Sequence, residues 1–158
     1  MNDFIILKTA DELDQDSKML MTKAIEALPK AYAPYSNFRV ATALLLEDGV
    51  VVTGTNQENA AYPSGMCAER VALFTVASQH PGKRINKLVV LAKLGDEAAL
   101  APASSCGPCR QVMLEFEQRQ CHPIEIIMQS EDHQWVKAPS AASLLPFCFS
   151  NASLKAKN

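Results

Sequence analysis

Five cysteines fall in this chain of 158 residues, and three of them stand where they can act together. Cys106 and Cys109 flank Gly107-Pro108 in the stretch SSCGPCRQVMLEF. Two thiols at that spacing reach one point from a single turn of chain. Cys67 opens CAERVALF, where a Pro/Gly-punctuated loop runs into an almost wholly apolar segment. Together they offer three sulfur ligands on two helix N-termini. A fourth position is left open, as in catalytic zinc sites that keep a water beside three protein ligands. Cys121 and Cys148 fit no ligand spacing and are expected to be buried or half-buried thiols. With an odd count, full pairing within one chain is impossible, and cytosolic thiols serve as ligands, catalytic groups or free thiols rather than disulfides.

Glu69 follows Cys67 by two positions. Residues two apart on an ideal helix point roughly 200° apart, so the two converge only if Cys67 stands at the cap. Glu69 then stays off the metal and beside its water, where a carboxylate takes a proton and hands it to a leaving group. A helix-start glutamate favoured by the dipole would account for Glu69 alone; the later Cys-x-x-Cys argues for the catalytic reading. Helix N-termini also place partial positive charge beside thiolates. Arg70 or Arg110 could donate hydrogen bonds to those sulfurs, the plainer reading being a solvated surface arginine, more so for Arg110.

The elements that must position these residues read as follows. Asp11 to Ala33 has apolar residues at helical spacing, and Ala33-Pro34-Tyr35-Ser36-Asn37 breaks it. Phe38 to Leu46 and Val50 to Thr55 read as strands joined by a turn at Glu47-Asp48-Gly49. Cys67 to Ser78 predicts a helix, apolar nearly all round and so buried, ended by His80-Pro81-Gly82. Lys87 to Leu94 predicts a strand, Pro108 to Gln118 a helix with its proline early, and Ile124 to Met128 a strand. Gln134 to Lys137 fits a short last strand on which Trp135 packs, and Ser140 to Leu145 a short helix. His80 reads as a helix-end residue; His122 and His133 fall in loops and need no function. The order predicts one α/β domain over residues 1–158, a three-layer α/β/α stack with a mixed, mostly five-stranded sheet. Its core runs from about 11 to 150, with a polar tail at 151–158. Helices that follow strands start at one edge of such a sheet, where ligands collect.

Composition narrows the function. Hydrophobic residues make up 48% of the chain, enough for a substantial core, and the net charge is −2. No basic field favours nucleic acid. The apolar runs are strand-sized, and MNDFIILKTADELDQ lacks a basic start and a long apolar run. The expectation is therefore no membrane span and a cytoplasmic home.

At this point the residues resemble a known family. CAER followed by CGPCRQVMLEF is similar to the zinc nucleoside deaminases, in the all-cysteine form of their signature. PYSNFRV, GTNQENAAYPSG and LLPFCF narrow the resemblance to the small, homotetrameric cytidine deaminases, over about Tyr32 to Phe149. It implies one Zn²⁺ per subunit on Cys67, Cys106 and Cys109, Glu69 as proton shuttle, and hydrolytic deamination of cytidine and 2′-deoxycytidine in pyrimidine salvage. It implies that Asn56 and Glu58 bind the ribose hydroxyl, that Phe38 packs beside the nucleoside, and that Ala68 offers backbone groups to the pyrimidine. Tyr62 and Phe149 match residues that enter a neighbouring subunit's pocket, Phe149 stacking on the base. By sequence alone Asn56 also fits a turn, and Phe38 and Phe149 fit a core.

Three departures stand out. Ser105 replaces the proline common before the second zinc cysteine, Ala41 replaces a common glycine, and Phe147-Cys148 is bulkier than the small pair common before Phe149. Three rival functions share parts of the pattern. A polynucleotide deaminase would need a basic, aromatic-rich channel. A deaminase for another small aminated nucleoside would differ only in its pocket. A non-catalytic structural zinc would need a fourth protein ligand.

Overall fold

The computed structural model of the chain describes residues 4–150 together with 152 and 154. The rest of the expected polar tail lies outside the described residues. Along the chain run β1 (Ile5–Leu7), α1 (Gln15–Ala27), β2 (Phe38–Leu46), β3 (Val51–Thr55), α2 (Ala68–Gln79), β4 (Ile85–Leu94), α3 (Gly107–Gln120), β5 (Glu125–Gln129) and β6 (Trp135–Ala138). The strands form one six-stranded mixed sheet in the order β1-β6-β5-β4-β2-β3. β4 and β5 pair in parallel, joined through α3; the other pairs are antiparallel.

Period-two alternation sorts the strand side chains between two helical layers. Ala41 and Ala43 of β2, Val89 and Leu91 of β4, and Trp135 of β6 pack with Leu20, Ala24 and Ala27 of α1. Leu44, Leu46, Leu88, Val90 and Ile126 turn the other way, onto Ala72, Leu73 and Val76 of α2 and Met113 and Leu114 of α3. The α/β/α layering expected from the element order is therefore present. The methyl of Ala41, which stands in place of a common glycine, is fully buried in the α1-side core.

The sheet has six strands rather than mostly five. The added one is β1, which pairs with β6 over Ile5↔Lys137 to Leu7↔Trp135. It holds only three residues, and Ile5 and Ile6 stay about half exposed, so it carries no alternation for a sequence reading to find. The long first helix is also shorter than expected. Asp14 caps α1 by accepting the Ser17 N–H at 2.9 Å, and Ala10–Glu12 ahead of it is a separate 3-10 turn. At the far end Pro29 cannot donate to the helical ladder, and Leu28–Lys30 tightens to a 3-10 turn. The β2–β3 turn lies where expected, with Gly49 at φ 84°.

α2 is less buried than its composition suggests. Ala68, Glu69, Ala72, Leu73 and Val76 face the sheet, while Phe74 stays 47% exposed. Among the described residues no helix is long and apolar enough to cross a membrane.

Candidate active site

α2 follows β3 and α3 follows β4, so the two helices begin at the same end of the sheet. Cys67 is the cap residue of α2 (φ −73°, ψ 151°) and Cys106 that of α3 (φ −69°, ψ 165°). Both backbones are extended, which is the condition under which Cys67 and Glu69 can share a site. Pro108 sits within the first turn of α3, where a missing N–H costs nothing. Cys109, in that same turn, is fully buried.

These caps bring three sulfurs together. Cys67 Sγ lies 3.8 Å from Cys106 Sγ, and Cys106 Sγ lies 3.3 Å from Cys109 Sγ. All three are within 4.8 Å of one another. A tetrahedral zinc with ordinary Zn–S bonds holds its sulfurs about 3.8 Å apart, so the donor set fits Zn²⁺ in both type and spacing. Among the described residues no fourth His, Cys, Asp or Glu joins the group. Cys121 and Cys148 do not, and both are exposed, against the expectation of buried or half-buried thiols. Cys121 closes α3 in a left-handed turn (φ 50°), and Cys148 lies in the C-terminal segment beside two exposed phenylalanines.

Electrostatics favour thiolate at Cys67. The Cys109 S–H beside it and the Arg70 guanidinium outweigh partial burial and push the Cys67 thiol down to about 5. Cys109 moves the opposite way, held protonated by Cys67 and by its own burial. Arg70 Nη2 donates to Cys67 Sγ at 3.5 Å. Arg110 does not reach the sulfurs. Its Nε donates to the Ser105 carbonyl at 2.7 Å and its Nη1 to the Leu144 carbonyl at 3.3 Å, tying α3 to the C-terminal segment.

Glu69 is 4% exposed, in the first turn of α2. Burial pushes its carboxyl above the ordinary value, and the Cys67 charge adds to this; the Ser105 hydroxyl and Cys109 S–H work against it. Among the described residues no carboxylate oxygen belongs to the sulfur cluster. The site thus pairs a soft three-sulfur ligand set with a neighbouring carboxyl disposed to hold a proton, a combination suited to metal-assisted hydrolysis.

A cleft of about 660 Å³ opens onto this centre. Cys67, Ala68, Glu69 and Cys106 line it, together with Phe38, Asn56, Glu58 and Tyr62. Asn56 and Glu58 do face the same space, but both are already held. Asn56 Oδ1 accepts from the Val40 N–H at 2.8 Å and its Nδ2 donates to the Phe38 carbonyl at 2.9 Å. One N–H and one lone pair of Asn56 remain for a ligand. Glu58 accepts from the Tyr35 and Ser36 N–H groups and from the Ser36 hydroxyl. That hydroxyl, with the Tyr35 amide, holds the Glu58 carboxyl below its ordinary value. Sequence reasoning missed Ser36. It stands two residues before Phe38 and its oxygen accepts the Phe38 N–H at 3.0 Å, a local turn pattern readable in principle.

Tyr62 is 79% exposed at the rim of this chain's own cleft, edge-on to Tyr35 with ring centroids 6.3 Å apart. Phe149 does not line this cleft. It is 59% exposed, and its carbonyl accepts from Gln111 Nε2 at 2.8 Å. Arg110 and Gln111, directly after the last cysteine of the cluster, therefore both fasten the C-terminal segment.

The match to known proteins follows this geometry. Residues 14–123 match the cytidine and deoxycytidylate deaminase zinc-binding region, and the chain belongs to that family. Cytidine deaminase of Sporosarcina psychrophila is 37% identical over 142 residues, covering 88% of this chain and 95% of that protein. Cytidine deaminase of Halalkalibacterium halodurans is 47% identical over 101 residues, 64% of this chain and 72% of that one. Among solved structures, cytidine deaminase from Burkholderia pseudomallei superposes with a TM-score of 0.68 at 36% identity, over 87% of this chain and all of that one.

Proposed function

We propose that the chain hydrolyses cytidine and 2′-deoxycytidine to uridine and 2′-deoxyuridine, with one Zn²⁺ per subunit, in pyrimidine salvage. One observation carries the reading. Three sulfurs within 4.8 Å of one another sit at two helix caps, with buried Glu69 beside them and a cleft of about 660 Å³ in front. That volume lies in the range of small-molecule sites. The family match and the relatives named cytidine deaminase support the substrate.

Cys67, Cys106 and Cys109 would hold the zinc, which would supply the Lewis acidity that makes a water nucleophilic near neutral pH. Glu69 takes the proton of the attacking water and gives it to the ring nitrogen beside the amino-bearing carbon. The water oxygen bonds the amino-bearing carbon; Glu69 then takes the remaining proton from that hydroxyl and delivers it to the departing amine as the C–N bond breaks, so cytidine and water leave as uridine and ammonia. Burial of Glu69 raises the carboxyl's proton affinity, the direction in which shuttle carboxyls are tuned. Asn56 and Glu58 bind a ribose hydroxyl with the capacity their protein partners leave free. Phe38 packs beside the nucleoside, and the Ala68 backbone meets the pyrimidine.

The active form is a homotetramer of single-domain subunits, with Tyr62 and Phe149 acting at pockets between them. Phe147 is 97% exposed, Tyr62 79% and Phe149 59%, apolar surface that a lone chain would leave in water. Tyr62 at its own rim reaches both its own pocket and a neighbour's. The enzyme is cytoplasmic and acts on free nucleosides, with neither nucleic acid nor membrane as partner.

Ultraviolet absorbance of cytidine with purified protein, run beside Glu69→Ala, tests the chemistry. Loss of the cytidine signal with wild type alone is the expected result. No change in either sample, with zinc bound, would overturn the substrate assignment. Sedimentation tests the assembly, and a monomer turning over normally would remove the shared pocket.

A further inference from the structure

Ser105 is 2% exposed, and among the described residues its hydroxyl has no partner at hydrogen-bond geometry. Burying a hydroxyl unpaired is costly, so such a group in a functional wall calls for an explanation. Its backbone is fixed, because the Ser105 carbonyl accepts from Arg110 Nε at 2.7 Å and the next residue, Cys106, caps α3. Only the side chain is free to turn. Its neighbours Ser104 and Cys106 line the cleft, as does Glu69. The Ser105 hydroxyl is close enough to the Glu69 carboxyl to act on it, as described above. The Glu69 backbone N–H and the Cys109 S–H also act on that carboxyl, but Ser105 is the hydroxyl among these partners.

We propose that Ser105 is a positioning residue for Glu69, its hydroxyl rotating to donate a hydrogen bond to the Glu69 carboxylate and fixing which oxygen faces the substrate. The inference rests on the deaminase reading of the site, in which Glu69 must reach two different atoms in one turnover. A carboxylate free to rotate spends part of its time misaimed for each. The donor comes from the loop of the second helix, so it ties the carboxyl of α2 to the cap of α3. Proline at this position would supply neither hydroxyl nor N–H. The contact is therefore a property of this chain's own sequence.

The test uses the zinc-loaded enzyme and the variants Ser105→Ala, Ser105→Thr and Glu69→Gln. Ser105→Ala is expected to keep one zinc per chain and KM within about twofold, and to lose about tenfold in kcat. Ser105→Thr, which restores the hydroxyl, is expected to recover most of that loss. A second readout does not depend on turnover. In infrared difference spectra the Glu69 carboxyl band, assigned by its disappearance in Glu69→Gln, is expected to shift in Ser105→Ala and to return in Ser105→Thr. An unshifted band overturns the contact. A shifted band with unchanged kcat overturns the positioning role, and loss of zinc together with kcat reduces Ser105 to scaffold for the loop. If wild type does not deaminate cytidine, the deaminase reading fails by itself, and the infrared bands still decide whether Ser105 serves Glu69.

Discussion

Gly54 of β3 lies directly beneath Ala72 of α2, with no room for a side chain between them. A Cβ on Gly54 would sit 2.5 Å from the Ala72 nitrogen and 2.6 Å from the Ala68 carbonyl oxygen. Both are backbone atoms of the helix whose first turn carries Glu69, so the strand sets the height of the catalytic turn above the sheet. Gly54→Ala is expected to destabilise the fold by about 3 kcal/mol, since helix rather than side chain must move. It is also expected to lower zinc occupancy. Calorimetry and metal analysis check this, and a wild-type Tm would show that α2 can slide freely.

Arg70 reaches back along the first turn of α2 to donate to Cys67 Sγ at 3.5 Å. Removing it takes away a donor that stabilises the thiolate. Arg70→Ala is expected to weaken zinc binding about 10- to 100-fold, as loss of outer support around a metal commonly does. Competition against a chromophoric chelator measures it; an unchanged affinity would demote Arg70 to surface packing.

Asp14 does two jobs at the start of α1. It caps the helix, and its carboxylate lies 2.6 Å from Lys87 Nζ and 3.0 Å from Lys137 Nζ. Partial burial works to raise its carboxyl, but Lys87, the Ser17 amide and Lys137 outweigh this and hold it well below the ordinary range. A depressed carboxyl adds stability above its unfolded value near pH 4 and loses it as pH falls toward the folded value. Asp14→Asn keeps the cap and removes the charge. It is expected to cost on the order of 1 kcal/mol at pH 7, held down by solvent screening. Urea titrations at pH 7 and below pH 3 should show the gap between variant and wild type closing in acid.

Glu117 holds the far end of the molecule together. Its carboxylate is nearly buried and accepts the N–H groups of Ile124 at 2.7 Å, Ala141 at 2.6 Å and Ala142 at 3.1 Å. Glu117→Gln turns one acceptor into a donor facing an N–H, so at least one backbone group goes unpaired. The expected loss is about 2 kcal/mol in urea unfolding. Hydrogen exchange is expected to quicken first at Ala141 and Ala142, and uniform exchange would place the damage elsewhere.

The legible part of this protein was what repeats or what chemistry spaces. The order of helices and strands exposed the layering, and Cys67, Cys106 and Cys109 exposed the centre because a sulfur cluster tolerates few other arrangements. The role proposed for Glu69 requires Cys67 at a cap, and the cap is there. β1 was not legible, because three half-exposed residues leave no periodic trace. Nor were the burdens on Asn56 and Glu58, which clamp the chain at Phe38, Val40, Tyr35 and Ser36 across sequence distances that pattern cannot span. Arg70 and Arg110 each follow a motif residue, and sequence favoured Arg70 without placing either. Only packing decides that one reaches a sulfur and the other reaches carbonyls.

Cys67 and Cys106 are 39 positions apart, and all of β4 lies between them. In folding kinetics this makes the sulfur centre a late event. Cys106 and Cys109 can grip an ion in a barely ordered chain, since both belong to one turn. The third sulfur arrives only when α2 and α3 have both docked on the sheet and the long loop has closed, at an entropic cost an ion can offset. A nascent chain is thus free to capture metal early with two thiols, yet it acquires the three-sulfur environment only on completing its fold. The metal's coordination state becomes a record of how far folding has gone.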